Sequence, residues 1–200
     1  MSVRQALLAL LDNGPTYGYQ LRSDFESRTG GTWPLNIGQV YTTLSRLERD
    51  GLVRTVEGPT EAGHVVYEIT EPGRSEVADW FATPVARNAP ARDEIAIKLA
   101  MAVDVPDLEI AAVIQQQRRA SIAALQDFTR LKRTADDGDD LAWSLVLDRL
   151  IFDAEAEVRW LDHCETRLAR AARTGGRPRT GSPRSPQPRP SQDVEKETSR

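Results

Sequence analysis

One cysteine, Cys164, is all the sequence holds, which excludes an internal disulfide and a multi-cysteine metal site. Histidine is nearly as scarce. His163 sits beside Cys164, and adjacent residues on a helix point in different directions, so they make poor co-ligands. Cys164 therefore reads as a small residue on a helix, with a redox sensor as the alternative. No Ser/His/Asp set, HExxH, phosphate loop or CxxC pattern is present, and two histidines supply little acid–base chemistry. An enzyme is excluded on that ground, and neither a cofactor nor a metal is expected. A run of about twenty apolar residues is missing too, so nothing is expected to span a membrane. The N-terminus lacks a basic-then-apolar leader, and the expected location is the cytoplasm. Nor is there a basic excess. The formal net charge is -4, and residues 1–75 carry seven Lys/Arg against nine Asp/Glu. Such a balance argues mildly against nucleic acid, because affinity for phosphates rises with the cations brought to them.

What is present is concentrated between Gly31 and Val53, GTWPLNIGQVYTTLSRLERDGLV. Asn36 stands as a cap, and a helical run follows as far as Asp50-Gly51. Ile37, Val40, Leu44 and Leu47 recur at three- and four-residue spacing, which sets them on one stripe. At about 100° per residue the opposite arc carries Gly38, Gln39, Thr42, Ser45, Arg46 and Arg49. These are small or hydrogen-bonding residues, with two arginines and no carboxylate. Such a helix suits a DNA major groove, where Gln39 can pair with adenine and Arg46 with guanine or a phosphate. An ordinary amphipathic helix with a solvated outer face is the alternative.

The flanking segments favour the first reading. Val3 to Asp12 is a short apolar helix closed by Asn13-Gly14-Pro15. Thr16 is expected to cap a second helix, Tyr17 to about Arg28, with Tyr17, Gln20/Leu21 and Phe25 inward and Tyr19 partly in the core. Thr29-Gly30-Gly31 ends it. Thr16 and Tyr17 then lie where helix amides and dipole favour a phosphate. Two β-prone segments, 52–56 and 64–70, flank a loop at 58–63 and read as a hairpin. Three helices and a hairpin make a winged helix-turn-helix. Arg22, Arg28, Arg46, Arg49 and Arg54 sit on or beside its DNA-facing elements, so local field rather than net charge decides binding, and base readout carries a larger share than usual.

Three blocks carry a resemblance: Tyr17-Gly18-Tyr19-Gln20-Leu21, Trp33 to Leu44 (WPLNIGQVYTTL), and Leu47 to Val53 (LERDGLV). Together the sequence resembles the PadR family of bacterial transcriptional regulators over most of residues 3–74. Arg92 to Leu99 (RDEIAIKL) is similar to the start of the helical C-terminal domain in PadR proteins of the AphA virulence-activator type. The resemblance implies double-stranded DNA as partner, Tyr41 close to the DNA backbone, and flat hydrophobic effectors. One departure is the wing, where Glu57, Glu61 and Glu68 replace expected Lys/Arg, which implies weaker phosphate contact there.

Beyond the wing, Pro72-Gly73 opens a helix over 74–82, with Val77, Trp80 and Phe81 as its apolar side. Another spans about 92–103. A third is expected from Pro106, near Asp104 as a cap, with Ile110, Val113, Ile114, Ala124, Leu125, Phe128 and Leu131 apolar. Asp136-Asp137-Gly138-Asp139-Asp140 breaks the chain. The last helix, 141 to about 172, repeats Leu147, Ile151, Ala154, Val158, Leu161 and Leu168 at near-heptad spacing, of which the first five are read here as the seam of a homodimer. The alternative is that the two long helices pack only on each other. Trp143 and Trp160 are candidates for an aromatic effector cavity or, equally, for dimer core.

The expected fold is mainly α with a small β-wing. It comprises an N-terminal winged helix-turn-helix (1–74), a C-terminal long-helix dimerisation domain (75–172) and a disordered Arg/Pro/Ser-rich tail (173–200). Residues 171–200 carry seven Lys/Arg and three acids, so the tail is either a solvated appendage or a nonspecific DNA tether. The expected function is sequence-specific transcriptional regulation by a homodimeric repressor that responds to a small hydrophobic ligand. Two alternatives are a winged-helix module for protein contacts and an activator with no small-molecule effector. The outward Gln39, Thr42, Ser45 and Arg46 speak against the module, since protein-binding faces favour apolar or aromatic groups.

Overall fold

Leu7, Leu8 and Leu11 share a helix face, and α1 (Ser2–Leu11) buries all three completely. The computed structural model describes residues 2–56, 65–86, 92–138 and 140–173. After α1 the chain runs through β1 (Thr16–Tyr17), α2 (Gly18–Arg28), α3 (Ile37–Arg49), β2 (Val53–Val56) and β3 (Val66–Ile69). The three strands form an antiparallel sheet in the order β1-β3-β2. Helices and sheet close over one core in which Leu21, Val40, Leu44 and Leu47 join the α1 leucines, with Val53, Tyr67 and Ile69 from the strands. Each such side chain contributes about 1.5–3 kcal/mol by leaving water, so this core fixes the attitude of α3.

Helix ends follow local chemistry. Asn36 accepts the Gly38 amide at 2.8 Å and starts α3, and Gly51 at φ +74° turns the chain away after it. Thr70 caps α4 (Glu71–Ala82), which opens three residues earlier than expected because Pro72 in the first turn gives up only an amide that had no partner. Its hydroxyl also donates to the Gly51 carbonyl at 2.7 Å, tying the end of α3 to the start of α4. Val77 of α4 is buried, whereas Phe81 is exposed.

Two other expectations are corrected in this half. Thr16 does not cap α2. It pairs with Tyr67 in the sheet, and Tyr17, in extended backbone, occupies the cap position with no side-chain capping bond. Tyr19 is exposed, not core. The wing is built from β2 and β3, and residues 57–64, with Glu57 and Glu61, lie outside the described residues.

The C-terminal half is α5 (Glu94–Ala102), α6 (Ile110–Asp137) and α7 (Leu141–Arg173). α6 begins at Ile110 and not at Pro106, because Asp107 sits at φ +61°, a left-handed conformation that no α-helix contains. Asp140 accepts the Trp143 amide at 3.1 Å and starts α7, so the acidic break behaves as expected there. α6 and α7 form an antiparallel pair pinned by Gln115–Glu165 at 3.0 Å, Arg118–Asp162 at 2.7 Å and Ser121–Glu157 at 2.7 Å. Ile114, Leu147 and Leu161 are fully buried inside this single chain. Leu147 and Leu161 therefore cannot form a dimer seam, since a side chain with no exposed surface has none left to bury. Ile151, Ala154 and Val158 remain half-buried. Among the described residues no helix is long and apolar enough to cross a membrane. The tail from Thr174 lies outside them.

Candidate nucleic-acid interface

The outer face of α3 is where the sequence places it. Gly38, Gln39, Tyr41, Thr42, Ser45, Arg46 and Arg49 are all exposed, while Val40, Leu44 and Leu47 on the other side are fully buried. An open depression of about 580 Å³ runs along this face, bordered by Val3 of α1, Gly38, Gln39, Thr42, Thr43 and Arg46. Thr42 donates its hydroxyl proton to the Gly38 carbonyl at 2.8 Å, and Thr43 does the same to Gln39 at 2.7 Å. With its proton so used, the Thr42 oxygen is left as an acceptor and its methyl as an apolar contact. A thymine methyl or a cytosine amino group matches that pair of properties.

The cations on this side are not equally available. Arg46 makes no ion pair among the described residues. Arg49 meets Asp50 at 3.3 Å, Arg22 meets Glu26 at 2.9 Å, and Arg54 meets Glu68 at 2.7 Å. The last pair is built into the sheet, since Arg54 and Glu68 are directly opposed across β2 and β3. Its second bond, from Nε at 2.9 Å, falls on the same carboxylate oxygen. Glu26 also accepts the Leu35 amide at 3.1 Å at the approach to α3, and the Arg22 guanidinium together with this amide lowers its pKa below the usual carboxylate value.

Tyr41 and the start of α2 form one unit. The Tyr41 ring lies so close to Gly18 that a β-carbon on the glycine would sit 2.8 Å from Cε1. Thr16 and Tyr17 are half-buried beside it on β1. Sequence reasoning included Gly18 in a motif but gave it no role. Arg4 was missed as well. From α1 it binds Glu76 of α4 and reaches Asp50, the cap of α3, at 3.4 Å. Contacts spanning 46 and 72 residues carry no local signal.

Trp143 and Trp160 do not share a cavity. Seventeen residues of helix set them about 25 Å apart along α7. Trp143 covers Gly30 in the turn between α2 and α3, where a β-carbon would fall 2.4 Å from the indole. Trp160 instead lines a cleft between α5, α6 and α7.

A winged helix-turn-helix with a polar reading face, joined to a long helical hairpin, is the architecture of a DNA-binding regulator. Residues 7–79 match the transcriptional regulator PadR-like family, and residues 91–169 match the C-terminal domain described as virulence activator alpha. A Mycobacterium tuberculosis protein described as a probable transcriptional regulator is 30% identical over 179 residues, covering 81% of this chain and 95% of that one. The negative transcriptional regulator PadR of Bacillus subtilis is 25% identical over 170 residues, covering 80% and 93%. The chain belongs to the PadR-like family of transcriptional regulators. Its fold is that of the solved Bacillus subtilis PadR in complex with operator DNA, at TM-score 0.66, 23% identity and coverage of 82% and 97%. The same protein in complex with p-coumaric acid matches at TM-score 0.66 and 22% identity, over 84% and 99%. The Vibrio cholerae virulence activator AphA matches at TM-score 0.62 and 22% identity, over 84% and 98%.

Proposed function

We propose that this regulator is a homodimeric repressor that reads its operator with α3 and is released by a small hydrophobic effector. The observation that carries the reading role is the segregation of α3 into a fully buried apolar stripe and an exposed arc of Gly38, Gln39, Thr42, Ser45, Arg46 and Arg49. Gln39 and Arg46 have the length and donor pattern for base edges, and Thr42 and Ser45 lie between them. Tyr17 and Tyr41, grouped with Thr16 beside the N-terminus of α2, are assigned to the phosphate backbone. Repression follows the Bacillus subtilis relative, a negative regulator, and the effector follows that protein's complex with p-coumaric acid.

Dimerisation is supported by apolar surface that one chain leaves uncovered. Leu131, Leu141, Leu145 and Phe152 are exposed on the hairpin, and Ile97 and Met101 on α5. Two-fold pairing would set two copies of α3 on successive turns of one DNA face. Ile151, Ala154 and Val158 are assigned to the edge of that interface. Gel shift with the DNA upstream of the protein's own gene tests the reading. A discrete complex that outlasts excess random duplex supports it, and binding abolished by random duplex contradicts it. An activator is the second reading, favoured by the match of residues 91–169 to a virulence-activator domain.

A further inference from the structure

The cleft beside Trp160 has a chemistry of its own. Leu99 and Val103 border it from α5 and its C-terminus, Ile110 and Ile114 from α6, and Trp160 and Leu168 from α7. Its volume is about 280 Å³, room for a bicyclic or medium-chain organic molecule. Ile114 is fully buried and Leu99 nearly so, which gives the cleft a dry floor. The Cys164 thiol also lines it, and burial raises its pKa, so at neutral pH the sulfur is an uncharged, weakly polar wall.

Among the described residues the one charged side chain lining this cleft is Arg167. On α7 its neighbours three and four positions away are Cys164, His163, Arg170 and Ala171, so no carboxylate lies within helical reach. The nearby acids are engaged with α6: Asp162 with Arg118 at 2.7 Å and Glu165 with Gln115 at 3.0 Å. Arg167 makes no ion pair among the described residues. An apolar pocket with a single unpaired guanidinium at its wall is complementary to a molecule with an apolar body and one anionic end. The planar, five-donor guanidinium matches a carboxylate in particular.

We propose that the α5–α6–α7 cleft binds a small apolar carboxylate, its body against Trp160 and Ile114 and its carboxylate on Arg167. This rests on the proposed effector response only for its regulatory consequence, because the site is defined by its own lining. Leu99 of α5, which packs with Ile114 and Leu161 of the hairpin, also lines this cleft, so an occupant would fix α5 against α6 and α7.

The test is calorimetric titration of the full-length protein with 2-naphthoate and, separately, with its uncharged analogue 2-naphthylmethanol. The expected result is saturable binding of naphthoate, weakened at least tenfold by Arg167→Gln, with the alcohol indifferent to that change. Ala100→Phe, which fills the cleft, should abolish binding of both. Circular dichroism checks that each variant is folded, and Arg167→Lys should restore part of the naphthoate affinity if the variant Arg167→Gln loses it. No binding, or binding indifferent to both Arg167→Gln and Ala100→Phe, overturns the site. So does loss of the dimer, by light scattering, in Ala100→Phe, because the cleft would then hold a partner's side chain. If naphthoate binds as expected while operator affinity stays unchanged, the site stands and the effector role alone falls.

Discussion

Gly18 and Tyr41 fit together as a backbone and a ring with no room between them, the ring edge lying where any side chain at position 18 would begin. The contact ties the N-terminus of α2 to the exposed side of α3, joining the two elements assigned to DNA. Gly18→Ala would place a β-carbon 2.8 Å from Cε1 of Tyr41 and push the ring away. Overpacking of this kind costs about 1–3 kcal/mol, measurable by chemical denaturation. Binding to all DNA sequences should fall together, and Tyr41→Phe should reproduce the uniform loss without the loss of stability. A change of sequence preference in Tyr41→Phe would remove this tyrosine from the backbone role.

Arg54 and Glu68 answer why an acidic winged domain need not cling to random DNA. The carboxylate holds the guanidinium through two nitrogens on the wing strands. Glu68→Gln keeps the shape and removes the charge, so Arg54 becomes free for a phosphate. Nonspecific affinity should rise, and the slope of log affinity against log salt should steepen by up to about 0.9, the value for one phosphate contact. An unchanged slope would mean that Arg54 points away from DNA.

Much of the fold was legible because it is local. The stripe Val40, Leu44, Leu47 and the Asn36 cap fix α3 within a few residues of chain, and the glycines at 30, 31 and 51 mark its borders. The start of α6 was not legible, since proline at position 106 suits a helix start and only the left-handed Asp107 reveals the turn. The seam was legible only in part, for a different reason. Periodicity shows which face is apolar but not what covers it, and Leu147 and Leu161 are buried within the single chain, Leu161 in one cluster with Leu99 and Ile114. The exposed arc of α3 was fully legible; the carboxylates that hold Arg22 and Arg54 were not assigned to them.

Glu76 gives a pH signature. Hydrogen bonds from Gln5 at 2.9 Å and from Arg4 lower its pKa from the ordinary 4.5. A carboxyl whose folded pKa is depressed stabilises the fold above its unfolded value and loses that contribution as pH falls through the folded one. The window therefore opens at 4.5 and extends downward. Part of the acid destabilisation below pH 4.5 should disappear in Glu76→Gln, checked by denaturation at a series of pH values. An identical pH profile would show the Arg4–Glu76–Asp50 contacts to be energetically idle.

The hairpin separates folding from assembly. Leu147→Asp buries a charge inside one chain and should melt α6 and α7 together, seen as lost helicity. Phe152→Asp changes a side chain that is 61% exposed and should leave helicity intact while halving the mass in light scattering. Ile151→Glu, half-buried, should show some of both. A dimer that survives Phe152→Asp would move the interface to α5.

Operator discrimination by Gln39 bears most directly on the whole reading. The operator is obtained by sequencing the DNA that the full-length protein retains, and affinities are measured on it and on a random duplex at one fixed salt concentration. Gln39→Ala should cost about 1–3 kcal/mol on the operator and far less on the random duplex, because a bidentate base contact exists only at the right sequence. Equal losses on both duplexes, or none on either, would show that the exposed arc of α3 is not the reader.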